Sequence, residues 1–231
     1  MNRIFFVVFS LLLSSNTLAN SLNEQLQQVE SEWARVYYRL PENQQKPAFE
    51  KLQQQTVTLS KQFPQYAEPI ILQAMITATL AGLKNPIAAI ISIHKAKELL
   101  QQAIAINPNA ADGAAFVSLG TLYYKVPAWP IAFGDNKKAQ QLLKTALKIN
   151  PNGIDSNYFY ADFLISQNKQ SNAISYLKKA LAIPCRNNQY LTDSRLQGEA
   201  QQALENISPS HIAINHSTPI FTAPKKLTHV D

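Results

Sequence analysis

Residues 139–184 have the sequence AQQLLKTALKINPNGIDSNYFYADFLISQNKQSNAISYLKKALAIP, which contains one pattern twice. The second copy follows the first by 34 residues at three positions and by 33 at the last. The paired positions are Ala139 and Ala173, Leu143 and Leu177, Ala146 and Ala180, and Pro151 and Pro184. A repeat of this length predicts supersecondary units that bury their apolar faces by stacking on one another.

An earlier copy of the pattern lies 43 residues upstream of the middle one, at Ala96, Leu100, Ala103 and Pro108. Small alanines let two helices approach closely, and the leucine fills the seam between them. Each proline ends its helix, because proline has no N–H and pushes the preceding residue out of the helical region. The pattern therefore predicts antiparallel helix pairs, the middle one carrying nine extra residues (43 minus 34).

The helix that precedes each alanine-rich helix has an apolar stripe of its own. The stripe consists of Phe116, Leu119, Gly120 and Tyr123, and its later equivalent of Tyr160, Ala161 and Leu164. Gly120 and Ala161 stand where the two helices of a pair come closest. With the 34-residue period, these residues resemble the tetratricopeptide repeat (TPR) over residues 112–184. The resemblance implies an all-α, TPR-like α-solenoid of stacked antiparallel helix pairs.

Helical periodicity continues on both sides of the repeats, so we expect about nine helices in one domain at residues 20–207. Residues 208–231 contain three prolines and no helical period, which predicts an extended or disordered C-terminal tail. The expected parts of the domain are N-terminal helices at 20–64, helix pairs at 65–108, 109–151 and 152–184, and a capping helix at 185–207.

The first residues have the layout of a secretory signal peptide at 1–19: Arg3, the apolar run from Ile4 to Leu13, and small residues ending at Ala19. The apolar run is half of the roughly 20 residues that a membrane-spanning helix needs, so we expect no transmembrane anchor in the mature chain. Cys185 is the only cysteine, which excludes an intrachain disulfide and a lipid-bearing cysteine at the cleavage point. The predicted location is the periplasm.

Most of the extra residues of the middle unit form an apolar loop at 125–135, KVPAWPIAFGD. Two prolines three residues apart exclude a helix there, and Asp135 can cap the helix that follows. Loops usually carry polar residues to the surface, so Trp129, Ile131 and Phe133 must either plug a groove or offer one to a partner. Both alternatives remain open at this point.

On the first helix of each pair, the residues beside the packing stripe face the concave side of a curved stack. Tyrosines there offer an apolar body with a polar tip, and charged side chains could orient a peptide or an amphiphilic ligand. The alternative is a solvated helix face on which the tyrosines pack between repeats. With two loop residues, the candidate binding residues are Val117, Thr121, Tyr124, Lys125, Trp129, Phe133, Asp155, Tyr158 and Asp162.

A narrower resemblance covers about residues 65–207. It is carried by Leu119-Gly120, Tyr123, Val126-Pro127, Trp129-Pro130-Ile131, Phe133-Gly134-Asp135, Asn150-Pro151, Gly153-Ile154-Asp155 and Asn157-Tyr158-Phe159-Tyr160. These residues resemble the periplasmic T component associated with TRAP transporters. The resemblance implies a helical protein that self-associates around a hydrophobic cavity and meets a transporter substrate-binding protein.

The sequence predicts no catalytic, metal or cofactor site. His94 has no histidine or carboxylate one turn further along the helix that could share a metal. There is no glycine-rich phosphate loop and no serine elbow. The formal net charge of +6 is spread along the chain without an arginine-rich helix, so we expect no nucleic-acid partner.

Two functional hypotheses follow. The first is an exported, non-enzymatic TPR scaffold that binds a protein partner on its concave helix face and serves a transport or envelope-assembly system. The alternative is a periplasmic carrier of a small hydrophobic or amphiphilic ligand, as the T-component resemblance implies.

Overall fold

The structure is a computed structural model that describes residues 3–207, with side chains from residue 21 onward. Within this range the chain forms nine α-helices and two short 3-10 turns, at Ala110–Gly113 and Asn187–Gln189. The helices are α1 (Arg3–Arg39), α2 (Glu42–Gln62), α3 (Glu68–Ala81), α4 (Pro86–Ile106), α5 (Ala114–Lys125), α6 (Asn136–Ile149), α7 (Ile154–Ser166), α8 (Gln170–Ala182) and α9 (Tyr190–Ile207). The predicted tail at 208–231 lies outside the described residues.

Each helix packs against the next one in the chain, as antiparallel neighbours joined by short connections do. The odd-numbered helices also contact one another in series, α1 with α3, α3 with α5, α5 with α7, and α7 with α9. The even-numbered helices lie outside this inner layer, each against its two chain neighbours. The prediction of an all-α, TPR-like solenoid is confirmed.

The repeated alanines and leucines form the seams between the helices. Leu143 and Leu177 are completely buried, and Gly120 lies against the first of them. A Cβ atom at Gly120 would stand 2.7 Å from Cγ of Leu143, so α5 and α6 approach as closely as a glycine permits. The seam alanines, all without exposed surface, are Ala96, Ala103, Ala139, Ala146, Ala173 and Ala180.

Helix starts follow the residues that the sequence provides for them. Asn85 precedes the proline that begins α4, and its side-chain oxygen accepts a hydrogen bond from the backbone N–H of Ala88 at 3.0 Å. The carboxylate of Asp135 accepts from the backbone N–H groups of Lys137 at 2.8 Å and Lys138 at 3.0 Å. Both caps satisfy N–H groups that have no partner inside the helix.

Three apolar clusters run along the stack without a gap. The first joins α1, α2 and α3, the second joins α3, α4 and α5, and the third extends from α6 to α9. Side chains such as Met75 and Tyr123 contact two clusters. In the part of the chain that the structure describes, no helix combines the length and the hydrophobicity needed to cross a membrane.

Candidate binding site on the inner layer

The predicted inner-face residues do lie on α5 and α7, and several bond to one another. The phenol of Tyr124 donates a 2.6 Å hydrogen bond to Oδ2 of Asp162, and Nζ of Lys125 lies 2.7 Å from the same oxygen. Burial raises the pKa of Tyr124 well above its usual range, and the neighbouring Asp162 raises it further. Tyr124 therefore stays neutral and remains a hydrogen-bond donor.

Tyr158, the next tyrosine of the predicted set, pairs with the capping helix. Its phenol donates a 2.6 Å hydrogen bond to Oε2 of Glu199 on α9. Burial, followed by the nearby carboxylates of Glu199 and Asp162, raises the pKa of Tyr158. The same carboxylate acts on Tyr38 of α1, whose pKa is raised first by burial and then by Glu199. Tyr38 and Tyr158, from two different helices, thus lie near one glutamate on a third.

Asp155 lies at the first turn of α7 with one oxygen unsatisfied. Its Oδ1 is buried and has no hydrogen-bond partner among the described residues. Burial raises the pKa of Asp155, while the guanidinium of Arg186 lowers it in part. That guanidinium is engaged elsewhere, because its Nη2 atom lies 2.6 Å from Oδ1 of the fully buried Asp193. Asp155 therefore carries a buried acceptor oxygen that the described residues leave unsatisfied.

The other predicted residues have more structural roles. Val117 is buried in α5 with 5% of its surface exposed, and Thr121 donates a 2.8 Å hydrogen bond to the carbonyl of Val117 one turn earlier. The aromatic ring of Tyr124 also packs edge-on against Phe163, with the ring centroids 5.5 Å apart. The tyrosines of this face pack between repeats, as one alternative predicts, and they also carry a polar network. That the face binds a ligand stays a prediction.

The N-terminal helix completes this face, which the sequence did not indicate. Helix α1 contacts α2 and α3 and also reaches α9 and the turn at Asn187–Gln189. Gln189 donates a 2.9 Å hydrogen bond to Oε2 of Glu30, and the guanidinium of Arg195 lies 5.7 Å from the ring centre of Tyr38. The first and last inner helices therefore touch, and the inner layer closes on itself.

Glu30, Tyr37, Tyr38, Arg186 and Glu199 were missed as site residues. Tyr37 and Tyr38 follow the buried Val36, so they stand one step round from the α1 packing stripe, as Tyr124 does on α5. The same rule of position could have selected them. Nothing in the sequence could show that Glu30 meets Gln189, which lies 159 residues later.

The apolar loop divides into an inward and an outward part. Phe133 packs inward, with its ring 5.1 Å from that of His94 and 5.2 Å from that of Tyr123, and Nζ of Lys97 lies 4.5 Å from its centre. Trp129 and Ile131 point outward, with 86% and 60% of their surfaces exposed. Phe133 therefore plugs a gap between helices, as the first alternative predicts. Trp129 and Ile131 lie on the protein surface, and a contact between them and a partner stays a prediction.

Among residues 21–207, no three His, Cys, Asp or Glu side chains are grouped so that they could hold a metal ion. The thiol of Cys185, half-buried, lies 3.2 Å from Oε1 of Gln197. That amide in turn donates to the last carbonyls of α8 and, at 2.7 Å, to the carbonyl of Ile183, which follows the helix. Cys185 therefore belongs to the junction between α8 and α9.

Residues 154–184, which are α7, α8 and the turn between them, match the family model of the tetratricopeptide repeat. No curated protein matches the chain. Among solved structures, the chain is similar to a thermophilic TPR protein of Thermus thermophilus, with a TM-score of 0.53 and 20% identity over 70% of this chain and 78% of that one.

The chain is also similar to yeast Tom70, with a TM-score of 0.44 and 15% identity over 82% of this chain and 42% of that one, so it spans less than half of Tom70. At 20% identity, the likeness to the Thermus protein shows the fold alone. One repeat that matches the family model, stacked among helix pairs of the same packing, makes this chain a TPR-like α-solenoid.

Proposed function

We propose that this protein is a non-enzymatic scaffold that binds a segment of a protein partner on its inner layer. The observation that carries the proposal is the row of tyrosines and carboxylates that α5, α7 and α9 hold in place. Tyr124 and Tyr158 are fixed by short hydrogen bonds to Asp162 and Glu199. Rigid aromatic groups bind at a low entropic cost, because little side-chain freedom remains to be lost.

The contact between α1 and α9 supports an extended segment as the ligand, rather than a folded domain. Where α1 lies against α9, the described residues cover that edge of the inner layer, which disfavours a globular partner there. An extended chain brings backbone N–H groups and side-chain donors in a narrow cross-section, which suits the acceptor oxygens of Asp162 and Glu199 on this layer.

Charge supports a segment with cationic or donor groups. The inner layer carries Glu30, Asp155, Asp162 and Glu199, and among its cations Lys125 pairs with Asp162 and Arg186 with Asp193. The other carboxylates favour a segment with donor or cationic groups, which sets orientation more than affinity.

The setting that we propose is the periplasm, because of the signal-peptide layout of residues 1–19. The resemblance to the TRAP T component supports an accessory role in transport, in which the partner is a substrate-binding protein. Self-association belongs to the same proposal. An envelope-assembly machine is the other system that such a scaffold could serve.

Affinity capture from a periplasmic extract tests the scaffold proposal. We expect the wild-type protein to recover a discrete partner that the double variant Tyr124→Ala, Tyr158→Ala does not. The matched control is Gln141→Ala, Lys144→Ala, which changes two exposed residues on the outer helix α6. Thermal melting of all three proteins separates lost binding from lost folding. If folded wild type and double variant recover identical sets of proteins, the inner layer is not the binding face.

A small amphiphilic ligand is the second candidate. The contact between α1 and α9 favours it, because a layer enclosed in this way suits a small molecule better than a folded partner. On α1, the rings of Trp33 and Tyr37 stack with their centroids 5.2 Å apart. Both belong to the part of the inner layer that α1 contributes. Native mass spectrometry of gently purified protein distinguishes the two functions. A co-purified small molecule that Tyr37→Ala releases supports the carrier, whereas a bare protein at every collision energy excludes it.

A further inference from the structure

Four large apolar side chains are exposed on α4 and on the loop between α5 and α6. Ile87 and Ile91 on α4 are 75% and 66% exposed, and Trp129 and Ile131 in the loop are 86% and 60% exposed. We call these four residues the Trp129 patch. Single exposed apolar residues are ordinary, but a group of large ones marks a surface that another apolar phase covers.

The inward half of the loop rests on α4, the helix that carries the two isoleucines. Residues 87, 91 and 94 lie on one face of α4, because steps of four and three residues return to the same side of a helix. His94 contacts the ring of Phe133 at 5.1 Å. The loop therefore rests on the α4 face that carries both isoleucines, and its Trp129 and Ile131 extend that face.

Backbone hydrogen bonds hold the loop in shape. The N–H of Gly134 donates to the carbonyl of Pro127 at 2.9 Å, and the N–H of Asp135 donates to the carbonyl of Tyr123 at 2.9 Å. A side chain at Gly134 would meet the carbonyl oxygen of Val126, so the turn is as tight as a glycine allows. Trp129 is thus held outward by a fixed turn, without the cost of ordering a flexible segment.

Lysines border the patch. Lys95 and Lys97 stand on α4 beside His94, and Lys137 and Lys138 follow the loop at the start of α6, where both are exposed. Two acidic residues lie nearby: Glu98, 3.5 Å from Lys95, and Asp135, which caps α6. Four lysines against these two carboxylates leave the border positive, so the surface that covers the patch should be apolar and anionic.

We propose that the Trp129 patch docks the protein on the surface of a lipid bilayer that contains anionic lipids. Tryptophan favours the boundary between headgroups and acyl chains, isoleucines add apolar area below it, and lysines bind anionic headgroups. A second copy of the chain fits less well, because a two-fold contact would bring two borders of like charge together. This docking goes beyond the proposed scaffold function and uses a different surface.

Tryptophan fluorescence of the full chain tests the docking directly. The chain has two tryptophans, and Trp33→Phe leaves Trp129 as the only one. We expect its emission to shift to the blue with vesicles of phosphatidylcholine and phosphatidylglycerol, and to stay unchanged with phosphatidylcholine alone. Added salt should reverse the shift, because it screens the lysine border.

Vesicle sedimentation of further variants measures each contribution. Trp129→Ala should weaken partitioning by about tenfold, since a large apolar side chain no longer enters the interface. Lys137→Gln and Lys138→Gln should each weaken it by about fivefold. Tyr190→Ala is the matched control, because Tyr190 is also an exposed aromatic residue, at 64%, but lies on α9. We expect no change from it.

Three outcomes would overturn the proposal. Vesicles that capture the chain without a shift in Trp129 emission would place the contact elsewhere, for example in the apolar run at residues 4–13. Equal partitioning of the Trp129→Ala variant and wild type would exclude the patch. Dimerisation that Ile131→Asp abolishes, without binding to anionic vesicles, would assign the patch to a second copy of the chain.

Discussion

The α5–α6 pair and the α7–α8 pair have the same seam but different connections. Leu143 and Leu177 occupy equivalent places and are both completely buried. The first pair is joined by the loop of residues 126–135, whereas the second is joined by a tight turn in which Asn168 has a positive φ of 58°. The packing of two helices is therefore independent of the length of their connection, which leaves the loop free to carry another function.

The two pairs also differ on the inner layer. Gly120 of α5 corresponds to Ala161 of α7, so Thr121 stands where the later repeat has Asp162, and Ala114 stands where it has Asp155. The carboxylates of the candidate binding site thus come from the second pair and from its neighbours. Within one repeat, the seam positions set the stability and the inner-layer positions set the charge. Single substitutions can therefore change one property without the other.

The largest effect is expected at the seam. Leu143→Ala and Leu177→Ala should each lower the free energy of unfolding by about 2–5 kcal/mol, because each leaves a cavity between two helices. Urea denaturation measures both. Lys144→Ala and Lys178→Ala, one residue further along, are exposed controls that should change it by less than about 0.5 kcal/mol. A much smaller loss at Leu143 than at Leu177 would show that the loop, and not the seam, holds the first pair.

Gly120→Ala tests how closely the two seams correspond. An alanine is accommodated at Ala161, but at position 120 its Cβ would stand 2.7 Å from Cγ of Leu143. We expect a loss of about 1–3 kcal/mol from overpacking, measured by thermal or urea unfolding. Gly198→Ala in α9 is the control, because nothing lies within 4 Å of its added Cβ. It should stabilise the protein by about 0.5–1 kcal/mol, and a stabilising Gly120→Ala would mean that the helices can move apart.

Asp135→Ala tests the end of the loop. The carboxylate caps α6 through two backbone N–H groups, so its loss should cost about 1 kcal/mol in chemical denaturation. Asp135→Asn retains an acceptor and should cost less. In the other pair, Lys169 at the start of α8 makes no side-chain cap, and Lys169→Ala should change little. Equal effects of the two alanine variants would contradict this assignment.

The smallest effect, and the one that depends on pH, is expected at Asp155. Burial raises its pKa in the folded protein, so its ionisation opposes folding. The stability associated with the neutral acid is complete below the ordinary pKa of 3.8 and is lost as the pH rises through the higher folded value. Asp155→Asn should therefore raise the melting temperature at neutral pH and leave it unchanged below the ordinary value.

Melting curves across this pH range measure the Asp155 effect, with Glu50→Gln in α2 as an exposed carboxylate control. A stabilisation of Asp155→Asn that is equal at acidic and neutral pH would show that packing, and not charge, is responsible. Loss of stability at neutral pH would show that attraction to Arg186 exceeds the cost of burial.

The candidate site could be predicted in part. The rule that selects residues one step round from the packing stripe identified Tyr124, Tyr158 and Asp162, because it depends only on helix geometry. It could not supply their partners. Glu199 lies 41 residues from Tyr158, and such a distance along the chain is spanned only after the repeats have stacked. The role of the loop was undecided for the same reason, since a plug and an exposed surface have the same composition.

Helix boundaries and the nesting of successive pairs could be predicted from the chain alone. These properties depend on prolines, caps and the recurrence of alanine and leucine, which act over a few turns of helix. The folded arrangement was needed to show that α1 meets α9, that Glu30 reaches Gln189, and that Phe133 turns inward while Trp129 remains outside. These contacts depend on the summed rotation of several helix pairs, which no single repeat encodes.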